Sequence, residues 1–160
     1  VRSRAEKLVW RARSTGTIIA TAESCTGGLV SAAITEIAGS SHMFDRGFVT
    51  YSNEAKQAML GVRAETLEAF GAVSEAVAGE MAAGALARSG AGLAVSVTGI
   101  AGPGGSRHKP EGRVCFGLAQ AGRTVVTQTV EFGAQGRSQV REASVGYALD
   151  LLLSALDEGA

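Results

Sequence analysis

The stretch TIIATAESCTGGLVSAAI, Thr17 to Ile34, decides how this chain folds. Its first six residues are β-branched or small and apolar, the pattern of a short buried strand. From Thr26 or Gly27 onward the period changes, and Leu29, Val30, Ala33, Ile34 and Ile37 recur at helical spacing until AGSS ends the run. Between the two lies ESCTGG, a polar, glycine-bearing corner from strand to helix. A helix N-terminus presents free backbone N–H groups that stabilise an anion, so a hydroxyl placed there can attack a carbonyl while neighbouring amides hold the oxyanion. Two nucleophiles stand side by side at this corner, Ser24 and Cys25. Ser24 lies between an acid, Glu23, and the coming helix, while Gly27 and Gly28 leave room for a ligand to reach the backbone. A simpler role competes, since Ser24 or Thr26 can serve only as the helix N-cap. Cys25 has no histidine near it in sequence to generate a thiolate, and a small residue at a strand end more often packs than reacts.

Working outward, Ala5, Leu8, Val9 and Ala12 sit at helical spacing among arginines, which predicts an amphipathic helix ending near Gly16. Downstream, FDRGFVTYS reads as a strand, NEAKQAML as a short helix capped by Ser52 or Asn53, and RAETLEAF as another. SEAVAGEMAAGALARSG reads as a longer helix with Ser74 at its N-cap and a stop at Gly90. AGLAVSVTG is continuous and apolar, as a central strand should be, and the glycine-rich loop GIAGPGGSRHKPEG follows it. RVCFGLAQ and TVVTQTVEF read as an antiparallel hairpin, and SQVREASVGYALDLLLSAL as a closing helix. This order predicts an α/β fold: a three-layer α/β/α domain with a mixed, mostly parallel sheet and a C-terminal β-hairpin plus helix.

With 160 residues the chain suits one domain, 1–160, and 46% hydrophobic against 19% charged residues marks it as globular. Lysine plus arginine equal aspartate plus glutamate at 15 each, which removes the basic field that nucleic-acid binding relies on, so no direct nucleic-acid partner is expected. No apolar run approaches membrane-span length, and the opening VRSRAEKLVWRARSTG carries charges throughout, unlike a signal peptide; a soluble, cytoplasmic protein with no membrane partner is expected. The sequence opens on Val1 rather than Met, which leaves room for an upstream segment. Cys25 and Cys115 have neither zinc-ligand spacing nor a disulfide framework, and His42 and His108 are isolated, so no metal site and no cofactor are expected. Helices as rich in Ala and Gly as GEMAAGALA can pack closely on another subunit, and a homo-oligomer is expected.

Three loops follow the carboxyl ends of predicted strands: ESCTGG, YSNEAK and TGIAGPGG. Ligands of open α/β sheets bind outside those ends, so parallel strands would bring the three loops to one rim. A serine nucleophile there needs a base, and the candidate is Lys56 in TYSNEAK, with Tyr51 as a second polar group able to relay a proton. Lysine serves if burial lowers its pKa; an ordinary solvated helix lysine is the competing reading. GIAGPGG has the look of a phosphate- or backbone-clamping loop but matches neither GxxxxGK[ST] nor GxGxxG. Arg137 and Arg141, at i,i+4 spacing near the start of the last helix, can reach a phosphate or carboxylate, or simply solvate a helix end.

Taken in order, TAESCTGG, IAGSS, FDRGFVTYSNEAK, LGV, GAVSEAVAGEMAAGA, AVSVTGIAGPGG, KPEGRV and the late arginines resemble the C-terminal domain family of the competence/damage-inducible protein CinA, across nearly the whole chain. Stand-alone members of that family are nicotinamide-nucleotide amidohydrolases. The resemblance implies hydrolysis of the carboxamide of a small-molecule substrate, nicotinamide mononucleotide, to nicotinate mononucleotide and ammonia, a step in pyridine-nucleotide recycling, without a metal. It places the family's serine on Ser24 and its lysine on Lys56, with Tyr51 as the possible relay. Cys25 falls on a position that several members fill with leucine, which favours Ser24 as nucleophile. Glu23, Cys25, Thr26, Gly27 and Gly28 then surround the reacting carbonyl, while Thr98, Gly99, Gly102, Gly104 and Gly105 with Arg137 or Arg141 hold the ribose phosphate. This chain departs from the family where it reads GAQGRSQVR, since members often carry Gly-Asp-Arg there, and where it reads GPGGS, since some carry an acidic residue. An alternative is a non-catalytic nucleotide-binding or accessory domain associated with competence or the DNA-damage response.

Overall fold

In a computed structural model describing residues 1–106 and 108–158, the change of period after Thr17 appears as a helix, a strand and a second helix in succession. Helix α1 (Arg2–Thr15) buries Ala5, Leu8, Val9 and Ala12 and stops at Gly16, whose φ of 68° is in the left-handed region. Strand β1 (Ile19–Glu23) is buried along its whole length. Helix α2 (Leu29–Thr35) starts later than Thr26 or Gly27, because Gly27 and Gly28 have φ of 57° and 106° and hold residues 24–28 in a turn. Neither Ser24 nor Thr26 caps it; Gly28 stands at the N-cap and makes no side-chain cap bond.

The remaining elements are β2 (Phe44–Val49), α3 (Asn53–Leu60), α4 (Ala64–Phe70), α5 (Glu75–Ala87), β3 (Leu93–Gly99), β4 (Arg113–Gln120), β5 (Val126–Glu131) and α6 (Arg137–Glu158). The side chains of Ser52 and Ser74 cap α3 and α5 by accepting from the amides of Ala55 and Val77. The sheet runs β2-β1-β3-β4-β5. β1 is parallel to both β2 and β3, while β4 is antiparallel to β3 and to β5, so the mixed sheet has β4 alone running against the other strands. The late hairpin and closing helix are where the sequence puts them.

The two faces of the sheet differ in side-chain size, and this sets the layers. Ile19, Leu93, Val95, Val97, Val114 and Phe116 pack with α1, α2 and α6. The opposite face offers Ala20, Ala22 and Ala94 to Leu60, Leu67, Val77, Met81 and Ala85 of α3, α4 and α5. Small residues let α5 lie close: Ser96 Oγ donates to Ala78 O at 2.6 Å, and a Cβ on Gly117 would stand 2.4 Å from that same oxygen. Gly84 is under the same constraint, since its Cβ would meet Leu60 O at 2.0 Å. The small residues of GEMAAGALA therefore serve packing within the chain. No helix of the described residues is long and apolar enough to cross a membrane.

Candidate active site

Because β2, β1 and β3 are parallel and adjacent, their carboxyl ends deliver Ser24, Thr50–Tyr51 and the loop 100–112 to one rim. Backbone bonds carry the sheet register just past β1: Ser24 N donates to Val97 O at 2.9 Å, and Thr50 N to Glu23 O at 2.8 Å. Ser24 is thereby fixed at the floor of a cavity of about 430 Å³. Of the residues singled out by sequence, Ser24, Cys25, Tyr51, Lys56, Thr98, Gly99, Gly102, Gly104, Gly105 and Arg137 line this cavity. Glu23, Thr26, Gly27, Gly28 and Arg141 do not; Glu23 and Thr26 are buried, and Gly27 is exposed.

Lys56 stands on the second turn of α3 and points back toward the sheet. Its Nζ donates to Ser24 Oγ at 2.9 Å, to Thr50 O at 2.9 Å and to Tyr51 O at 3.4 Å. The side chain is 1% exposed, and this burial lowers its pKa, since an ammonium loses more than an amine on leaving water. Lys56 is thus a buried lysine, not a solvated one. It reaches Ser24 directly, with no Tyr51 hydroxyl between them. Tyr51 is placed elsewhere: its hydroxyl accepts from Arg137 Nη2 at 2.9 Å at the rim, while Arg137 Nη1 donates to Gly102 O at 2.6 Å.

Cys25 is 6% exposed, and burial pushes its thiol up to about 11. It is a neutral thiol at neutral pH. Glu23 has turned under the corner. Its carboxylate accepts from the hydroxyls of Thr26 and Ser31 and from the amides of Gly28, Val30 and Ser31, at 2.6 to 3.2 Å. Glu23 is therefore what satisfies the first amides of α2, reaching them from the preceding strand. Arg141 takes the same turn from the other side, with Nε donating to Cys25 O at 3.1 Å. Within the turn, the amides of Ser24, Gly27 and Gly28 have acceptors, and of the remaining two residues Cys25 lines the cavity and Thr26 does not, which leaves the Cys25 amide as the candidate for holding an oxyanion.

The cavity has contributors that sequence reasoning missed. The turn 71–73 between α4 and α5 forms one wall, Asn53 another part, and Lys109 closes the loop side. Lys109 Nζ donates to the carbonyls of Phe70 and Val73, tying the β3–β4 loop to that turn, and Thr98 Oγ1 donates to Ala72 O at 2.9 Å. KPEG gives no local signal of this, because the contact depends on how α4 and α5 pack. Lys56, Lys109 and Arg137 line the cavity and, among the described residues, no Asp or Glu lines it with them, the nearby Glu111 carboxylate accepting from the amide of Gly104 at 2.6 Å. Among the described residues no group of three His, Cys, Asp or Glu is placed to hold a metal ion.

A three-layer α/β domain with a buried serine–lysine pair at the carboxyl ends of three parallel strands is the class that fold and site define. The chain belongs to the CinA C-terminal domain family, whose model matches residues 1–156. It is 54% identical over 141 residues to nicotinamide-nucleotide amidohydrolase PncC of Escherichia coli K12, covering 88% of this chain and 85% of the relative. It is equally 54% identical over 145 residues to a CinA-like protein of Mycolicibacterium gilvum, covering 90% of this chain and only 34% of that longer relative. Among solved structures, a competence/damage-inducible protein of Agrobacterium tumefaciens matches with a TM-score of 0.93 at 50% identity, covering 98% of this chain and 94% of the other. A CinA superfamily protein of Klebsiella pneumoniae matches with a TM-score of 0.94 at 36% identity, covering 98% of each.

Proposed function

We propose that the chain hydrolyses the carboxamide of nicotinamide mononucleotide, giving nicotinate mononucleotide and ammonia, with Ser24 as nucleophile and Lys56 as its base. The observation that carries this is the 2.9 Å contact between Lys56 Nζ and Ser24 Oγ inside a pocket where burial favours the neutral amine. An ammonium would donate to all three of its oxygens. A neutral amine donates to the carbonyls of Thr50 and Tyr51 and turns its lone pair to Ser24, whose O–H then donates to Nζ. Ser24 Oγ attacks the amide carbon as its proton passes to Lys56, and the amide of Cys25 supplies a donor for the oxyanion. The C–N bond breaks as Lys56 returns the proton to the departing ammonia. Neutral again, Lys56 takes a proton from water as the water oxygen attacks the acyl carbon; the C–Oγ bond then breaks as Lys56 returns that proton to Ser24 Oγ, and the released acid gives its proton to solvent, leaving the carboxylate.

The rest of the cavity fits an anionic nucleotide. Arg137 and Lys109 bring positive charge to a chain whose formal net charge is zero, and the glycines of the 99–105 loop admit a ligand to the backbone. Tyr51, accepting from Arg137, keeps its own proton for a substrate oxygen. The identity to relatives named nicotinamide-nucleotide amidohydrolase, over most of both chains, supports this choice of substrate. The test is to incubate the purified chain with nicotinamide mononucleotide and measure ammonia and nicotinate mononucleotide together. Equal yields of both, unchanged by a chelator, are expected. Because the fold also occurs as about a third of a longer CinA-like protein, a binding or accessory role is the competing reading; saturable nucleotide binding without either product would favour it.

A further inference from the structure

The turn that carries Ser24 is held from two directions. Beneath it, Glu23 gathers the hydroxyl of Thr26 and the first amides of α2. From α6, Arg141 Nε donates to Cys25 O at 3.1 Å and Nη2 to Thr26 O at 3.4 Å. These are the two carbonyls immediately after the nucleophile. The peptide group that offers Thr26 O to Arg141 presents its N–H, on Gly27, to Ser24 O at 3.0 Å. Peptide planarity makes that a rigid link running from the guanidinium through Thr26–Gly27 to the backbone of Ser24. Nη2 also lies 3.6 Å from where a Cβ on Gly27 would stand, so the guanidinium is packed in ordinary contact against this glycine. Arg137, one turn earlier on the same helix, lines the cavity, and Arg141 does not.

We propose that Arg141 is a positioning residue that holds Ser24 against Lys56, and not a ligand for the substrate phosphate. The inference rests on the serine amidohydrolase reading above. A guanidinium suits this work because its forked, planar donors meet two neighbouring carbonyls at once, which an ammonium does not. A small displacement of the nucleophile costs rate and leaves ground-state binding alone.

The test compares Arg141→Met, Arg141→Gln and Arg141→Lys, with Arg137→Met alongside, reading kcat and KM for nicotinamide mononucleotide and the rate at which a small sulfonyl fluoride labels Ser24. Arg141→Met is expected to lower kcat by about 10- to 100-fold with KM within about twofold of wild type, and to slow labelling in proportion. The Gln and Lys variants both keep N–H donors, so each should recover part of kcat, glutamine doing so without a charge. Arg137→Met should instead raise KM. A raised KM with unchanged kcat in Arg141→Met, rescued by Lys and not by Gln, would overturn the proposal and make Arg141 an anion ligand. If Arg141→Met does not fold, Gln and Lys against wild type carry the same comparison. Should the wild type release no ammonia, slower labelling of Ser24 in the Arg141 variants would still support the clamp while the substrate reading fell.

Discussion

At the scale of single residues, Lys56 joins two facts that pull in opposite directions. It is buried without a carboxylate partner among its three hydrogen bonds, which is costly for a cation, and it touches the Ser24 hydroxyl in the cavity. Replacing it with Met is expected to lower kcat/KM by about 10²- to 10⁴-fold, and the acid limb of the wild-type kcat/KM profile should report its titration, activity rising with pH. Stability should carry the same signature. Below the lowered folded pKa, folded and unfolded chains both hold the proton. Between that value and the ordinary lysine value only the unfolded chain does, so folding becomes more favourable as pH rises through this window. Urea titrations at several pH values should therefore show wild type gaining on Lys56→Met as pH climbs; parallel curves would mean that Lys56 is not desolvated. Cys25 makes the converse case. With its thiol near 11 it should resist iodoacetamide in the native protein, and fast alkylation at pH 8 would contradict its burial.

At the scale of elements, the corner at 23–31 shows what local reasoning reaches and where it stops. The strand, the glycine turn and the helix are legible because each has its own period, and positive φ at Gly27 and Gly28 has a residue-level cause. The residue that satisfies the helix is not legible in the same way. Capping rules look to the residues just before a helix, whereas here Glu23 reaches the α2 amides across the turn from the end of β1. Glu23→Gln turns an amide N–H₂ toward donors and is expected to cost about 2–4 kcal/mol in urea denaturation; an unchanged midpoint would show that the cap carries little. Gly84 tests a second junction. Its α-carbon approaches Leu60 O so closely that Gly84→Ala, ordinarily favourable in a helix, should destabilise by about 1–3 kcal/mol as α5 is pushed off α3. A stabilised Gly84→Ala variant would contradict that packing.

At the scale of the whole molecule, the convergence of three loops follows from parallel strands, and sequence order was enough to expect it. The opposite wall was not legible. The 71–73 turn and Lys109 meet only because α4 and α5 cover the small-residue face of the sheet, a tertiary fact without a local pattern. Their meeting matters for charge. Two cations, Lys109 and Arg137, line the cavity beside Lys56 in a chain with no formal net charge, so KM for the mononucleotide should rise severalfold as ionic strength increases toward about 0.15 M, while the uncharged-tail nucleoside should respond weakly. Equal salt dependence for both would remove the phosphate from this site.

The central claim is that Ser24, and not its neighbour Cys25, attacks the amide. Ammonia release from nicotinamide mononucleotide by wild type, Ser24→Ala and Cys25→Ala, measured side by side with folding checked by circular dichroism, tests it most directly. Ser24→Ala is expected to lose about 10⁴-fold or more in kcat, and Cys25→Ala to stay near wild type. Turnover that survives in Ser24→Ala, or disappears in a folded Cys25→Ala, would contradict the account.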